Sequence, residues 1–203
     1  MSIRALFAHF REMKHYFIAA ALVFVTGIAL GYGNSVRFET IIEEQLQRLE
    51  GVARSVYQAD QPQLALFLFI FVNNVVNCLL TVFIGVIFGV FPIVFLLING
   101  MVIGYIGQMQ AAEGKWLMFV KGILPHGIIE IPAIVIAGAY GIYLGAIVLR
   151  GLFSFVVPRQ KHVFANEIRR FVQLSVPLAG FFLAALFVAA GIESTFTLWL
   201  ISR

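Results

Sequence analysis

Long apolar runs dominate the chain. They are neither the strict alternation of strands nor the narrow stripes of soluble amphipathic helices. Between Asp60 and Glu113 no Asp, Glu, Lys or Arg occurs. A membrane-spanning helix needs about 20 apolar residues, so this stretch holds two spans. They are predicted at residues 63–91 and 92–110, with Pro92 ending or kinking the helix before it. Residues 17–33 predict a first span, 125–149 a fourth and 171–199 a fifth. A cleaved signal peptide is the competing reading of the first run. That run exceeds the usual apolar region, and Leu30-Gly31-Tyr32-Gly33 is a poor cleavage site. It is read as a retained span.

The intervening segments differ in character. Within residues 34–62, Phe38, Ile41, Ile42, Leu46, Leu49, Val52 and Val56 recur at helical spacing. Glu44 and Arg48, and Glu50 and Arg54, form supporting pairs four apart on the other face. This predicts an amphipathic helix outside the hydrocarbon, packed on the bundle, on a partner or at the interface. Residues 116–124 are apolar but too short to span, and Pro125 follows. They predict a re-entrant or half helix, so the fourth span is a broken helix near Pro125. Residues 1–16 and the loop 150–170 are basic. In that loop Phe164, Ile168 and Phe171 predict a helical, interfacial end.

Composition supports the same picture. Of 203 residues, 61% are hydrophobic and 12% charged. Soluble domains average about 45–50% and about 25%. A soluble enzyme, a disordered tail and a disulfide scaffold are excluded. The single cysteine, Cys78, forms no intrachain disulfide. The net charge of +4 comes from basic residues flanking apolar runs, the ordinary membrane pattern, and no nucleic-acid motif is present. The clusters Arg4, Arg11, Lys14 and Arg150, Arg159, Lys161, Arg169, Arg170 set the N-terminus in the cytoplasm of a multi-pass protein of the cell membrane. The fold class is therefore all-α, a polytopic membrane bundle of about five helices in one domain.

Chemistry lies in the few polar positions. Gly27/Gly31, Gly85/Gly89, Gly100/Gly104 and Gly141/Gly145 recur four apart, a pattern that lets helices pack closely within the chain or in a homo-oligomer. Asn73, Asn77 and Thr81 share one face of the second span, with Asn74 beside them and Asn99 in the third. Buried amides need partners, so they act either as glue between helices or as the lining of a polar cavity. The densest constellation is Pro125-His126-Gly127-Ile128-Ile129-Glu130-Ile131-Pro132. His126 and Glu130 lie four apart on one helix face. A carboxylate at the bilayer centre costs about 2.5–3.5 kcal/mol, so it is paired, protonated or near water. Pro125 and Pro132 leave the carbonyls of Lys121 and Ile128 without their helical donors.

Asn73-Asn74, the Gly-rich span, Asn99-Gly100 with Gly104, and Pro125-His126-Gly127 with Glu130 and Pro132 together resemble the stage II sporulation protein M-like membrane family. The Pro-His-Gly-x-x-Glu run is the most specific part, and the match is densest over residues 64–145. The resemblance implies about five spans. In spore-forming members it implies a role in engulfment, beside peptidoglycan-degrading enzymes of the envelope. Members also occur in bacteria and archaea that form no spores.

Three functions are weighed. A channel or secondary transporter would use His126 and Glu130 as ion or proton sites, with Asn73, Asn77 and Asn99 as polar lining. Oxygen ligands suit hard cations and histidine admits zinc, but one His and one Glu do not complete a metal site. A membrane scaffold would dock envelope partners through the 34–62 segment and the basic loop. An enzyme has little support. No His-Glu-x-x-His occurs, Ser154 lacks the glycines of a nucleophile elbow, and no cofactor motif is present. Transport ranks first.

Overall fold

The computed structural model describes residues 3–33, 40, 42–45, 47, 51, 56, 58–154 and 161–197. Of these, residues 3, 124–126, 154, 161–163 and 196–197 are described by backbone alone. The elements are α1 (Ile3–Glu12), α2 (Lys14–Gly33), α3 (Pro62–Ile84), α4 (Val90–Ala112), α5 (Trp116–Ser154) and α6 (Lys161–Ile192), with a π-helical turn at Glu193–Thr197. No strand occurs among the described residues. Five helices are long and apolar enough to cross a membrane.

The glycines explain how these spans pack. Gly27 and Gly31 of α2 lie against Leu97 to Met101 of α4, and Gly100 and Gly104 lie against Phe24 to Tyr32. A Cβ on Gly31 would sit 2.8 Å from the Met101 Cα, and one on Gly104 would sit 2.9 Å from the Ile28 carbonyl carbon. Positions on the two helices rise together, so α2 and α4 run parallel. The second zip joins α3 and the turn after it to α5. Gly85 meets Gly141, and Gly89 meets Gly145. Asn74 meets Glu130 with the same separation of 56 residues, so α3 and α5 are also parallel and in constant register. In lipid, such close approach is the main source of helix association. All four glycine pairs are engaged within the chain.

α5 is the most enclosed span. Tyr140, Leu144 and Ile147 pack with Phe171, Leu174, Leu178 and Phe182 of α6 and with Cys78 and Val82 of α3. On another side, Ala139 meets Ala20 and Phe24 of α2 and Leu96 of α4. α3 and α4 are consecutive in the chain but touch sparsely.

Several expected boundaries move. The break between the second and third spans falls at residues 85–89, not at Pro92. Phe88 and Gly89 adopt φ of +52° and +74°, which stops α3 and restarts the chain as α4. Pro92 then lies in the first turn of α4, where a missing N–H costs nothing. The expected half helix at 116–124 is instead continuous with the fourth span, in one helix of 39 residues. Each proline removes one donor and leaves the flanking bonds of the ladder, a loss that neighbouring helices make tolerable in a membrane. The first turn of α5 folds back on α4, with the Phe119 and Trp116 rings 3.1 and 3.6 Å from where a Gly107 Cβ would lie. The basic loop is shorter than expected, because α5 runs to Ser154 and α6 begins at Lys161. The last span ends in the π-helical turn. Residues 3–12 form a helix not read from the pattern, whose Leu6, His9 and following Met13 are buried. Most of the amphipathic segment at 34–62 lies outside the described residues. Of those described, Ile42 and Val56 are buried while Glu43, Glu44 and Gln47 are exposed.

Candidate functional site

Because α3 and α4 diverge, a cleft of about 1200 Å³ opens between them, floored by α5. α3 contributes Ala65, Phe69, Asn73, Asn74 and Asn77, and α4 contributes residues from Phe91 to Ile103, including Asn99. α5 contributes Ile123, Gly127, Glu130, Ile131 and Ile134. Gln45, Gly51 and Val56 line it as well. The walls are otherwise apolar.

The register above gives the cleft a height. Pro92 and Gly85 both meet Gly141, so the Phe91 end of the cleft is level with the end of α3. From the level of Ala65 to that of Gly85 is about 20 residues, or about 30 Å at 1.5 Å per residue. That matches the hydrocarbon thickness of about 30 Å. Asn74 and Glu130 lie near mid-height. The Asn74 side-chain amide donates to Glu130 Oε1 at 2.6 Å. Asn99 donates to the Phe95 carbonyl of its own helix at 2.8 Å. Leu96 packs on Gly138, so Asn99 falls roughly 8 Å from Glu130 along the axis.

The sequence-derived candidates separate on this map. Asn73, Asn74, Asn77, Asn99, Gly127 and Glu130 share the cleft. Thr81 does not. It is fully buried beside Gly141, and its hydroxyl has no partner among the described residues. Cys78 is buried in the α3–α5–α6 core. Pro132 is exposed and is not among the residues lining the cleft. The side chains of Pro125 and His126 lie outside the described residues; their backbone continues α5. Among the described residues no group of three or more His, Cys, Asp or Glu could hold a metal.

A second polar cluster, at the end of the bundle carrying α1, was not read from the sequence. It surrounds a cavity of about 290 Å³ lined by His9, Glu12, Tyr143, Arg150, Glu167 and Arg170, among others. Arg170 donates to both oxygens of Glu12, at 2.5 and 2.9 Å. Arg150 donates to Glu167, and to the Tyr16 hydroxyl at 2.6 Å. The His9 ring is buried against Tyr140 and Tyr143, with centroids 5.8 and 5.4 Å away. Neither ring nitrogen has a hydrogen-bond partner among the described residues. Burial holds the His9 pKa below its ordinary value, and nearby Arg170 lowers it further. The hydrogen bond from Arg170 holds Glu12 below the usual carboxylate range. The only signal for this helix was the three- and four-residue spacing of Leu6, His9 and Met13 among basic residues.

Five apolar spans around a half-open intramembrane cleft define a polytopic membrane protein. A family model described as stage II sporulation protein M matches residues 20–198, and the chain belongs to that family. A relative in Methanocaldococcus jannaschii, the uncharacterized protein MJ0706, is similar at 26% identity over 190 residues, covering 91% of this chain and 82% of its own. No solved structure matches the chain.

Proposed function

We propose that this protein moves a small polar solute or ion across the membrane through the α3–α4–α5 cleft, holding it at Glu130. One observation carries the reading. A carboxyl bonded to an amide stands at mid-height in a cleft as tall as the hydrocarbon. Glue between helices needs no open volume beside it. Glu130 would accept hydrogen bonds from the solute or ligate a cation, and the amides of Asn73, Asn77 and Asn99 would replace part of its hydration. His126, one turn before Glu130, is a sequence-based candidate for proton exchange with it. On this reading the α1 end faces the cytoplasm. Arg4, Arg11, Lys14, Arg150, Arg169 and Arg170 gather there, with Lys115 and Lys121 toward the other end.

The test is thermal unfolding in lipid nanodiscs over a panel of cations and pH values, with wild type beside Glu130→Gln. A ligand at 100 times its Kd adds about 2.7 kcal/mol to the folded state. Stabilisation in wild type but not in the variant is the expected result. Variant and wild-type curves that coincide under every condition would remove the reading. They would favour a second one, a non-catalytic scaffold for envelope partners. That reading draws on the exposed Glu43, Glu44 and Gln47, which leave a polar face free beside the buried Ile42 and Val56.

A further inference from the structure

Asn73 is the anomaly of the cleft. It lies mid-way along a 23-residue span, yet its side chain is exposed, and none of the hydrogen bonds among the described residues involves it. An amide facing hydrocarbon without a partner costs several kcal/mol. Gly51 is also an exposed lining residue, and Phe91 at 38% and Val94 at 46% are exposed on α4. The cleft thus opens where Asn73 on α3 and Phe91 and Val94 on α4 are exposed, with an amide at its lip. An aqueous pore has the opposite design, with polar groups enclosed and apolar groups outward.

We propose that the groove's substrate is an amphiphile, whose headgroup slides along Asn73, Asn74, Asn77, Asn99 and Glu130 while its chains stay in the bilayer. This rests on the reading of the cleft as a transport path and puts an amphiphile in place of the small solute or ion. The groove's height suits the task, because a headgroup crossing from one interface to the other must travel the full hydrocarbon depth, about 30 Å. A polar track at mid-height serves where desolvation of the headgroup is most costly. The donor set narrows the class. Four amides and one carboxyl line the track, and no Lys or Arg lies among the described lining residues. Such a track suits hydroxyl- or amine-bearing headgroups without net negative charge, and it disfavours a bare phosphate beside Glu130.

The experiment is lipid flip-flop in proteoliposomes of the full chain, read by dithionite quenching of acyl-labelled fluorescent probes. The probes are a glycosyl diacylglycerol, phosphatidylethanolamine with a free amine, and phosphatidate. The first two should cross at least about tenfold faster than in protein-free vesicles, the change that about 1.4 kcal/mol of barrier produces. Phosphatidate should lag behind both. Asn73→Leu, which adds an apolar side chain at an exposed site, should fold and return the rate toward the protein-free value. Val94→Trp, obstructing the opposite lip, should do the same. No acceleration of either probe overturns the proposal, as does phosphatidate crossing equally fast. Disulfide formation between Asn73→Cys chains in a Cys78→Ser background would put a second copy over the groove, and overturns it too. If flip-flop fails while the nanodisc assay still shows Glu130-dependent stabilisation by a cation, the amphiphile is wrong and the transport reading survives.

Discussion

Gly141 and Gly180 offer the same substitution in opposite surroundings, and the pair tests whether the second glycine zip holds the bundle together. A Cβ on Gly141 would lie 2.5 Å from the Thr81 carbonyl oxygen and 3.0 Å from Pro92 Cβ. Neither is the free end of a flexible side chain, so α3 or α4 must move away from α5. Overpacking of this kind costs about 1–3 kcal/mol. Against it stands the helix preference for Ala over Gly, about 1 kcal/mol. Gly180, on α6, is exposed, and a Cβ there would meet nothing within 4 Å. Only the propensity gain remains. Gly141→Ala is therefore expected to lower stability by up to about 2 kcal/mol, and Gly180→Ala to raise it by up to about 1 kcal/mol. In a chain of this size about 1 kcal/mol moves Tm by about 2–4 °C, so the two variants should straddle wild type in a nanodisc melt. Equal melting of the two would refute the claim that contact at Gly141 is tight.

Three further outcomes are expected. A double-mutant cycle of Asn74→Ala and Glu130→Gln should give a coupling of about 0.6–1.7 kcal/mol in thermal unfolding, the range of polar contacts between membrane helices; additivity would dissolve the pair. His9 is held below the ordinary histidine value of 6.5 in the folded protein, so the unfolded chain takes up its proton first. The stability from neutral His9 is present above that pH and is lost as pH falls toward the lowered pKa, a decline that His9→Phe should flatten. Phe88 holds a left-handed φ of +52°, so Phe88→Gly should stabilise by about 1 kcal/mol, and a drop in Tm would show that its ring packs for a purpose.

The five spans and the polar positions within them were legible for the same reason. In hydrocarbon every apolar run and every amide stands out, so Asn73, Asn77, Asn99 and Glu130 could be singled out without knowing their neighbours. Their neighbours were not legible. Asn74 is the amide that bonds Glu130, whereas Asn99 turns back to its own helix. Helix phase and register decide between such partners, and neither is written locally. Proline misled twice. Pro92 read as a stop lies in a first turn, and Pro125 read as a break lies within α5, because flanking bonds and neighbouring helices compensate for one lost donor. Gly85 and Gly89 drew notice for packing, but their place at a chain reversal follows from Phe88-Gly89 dihedrals. α1 escaped because ten residues of mixed character resemble any basic flank until Tyr140 and Phe171 are found beneath them.

The two glycine zips interleave along the chain, since α2 closes on α4 and α3 closes on α5. That order constrains biogenesis. As the chain leaves the ribosome, α2 and α3 enter the bilayer before either has its mate, and α3 carries Asn73, Asn74 and Asn77 into lipid while Glu130 is still unsynthesised. The early spans therefore wait, shielded by the insertion machinery or by one another, until α5 arrives. Truncation anywhere before α5 leaves at least one zip open, so incomplete chains should be recognised and degraded rather than accumulate as partial bundles.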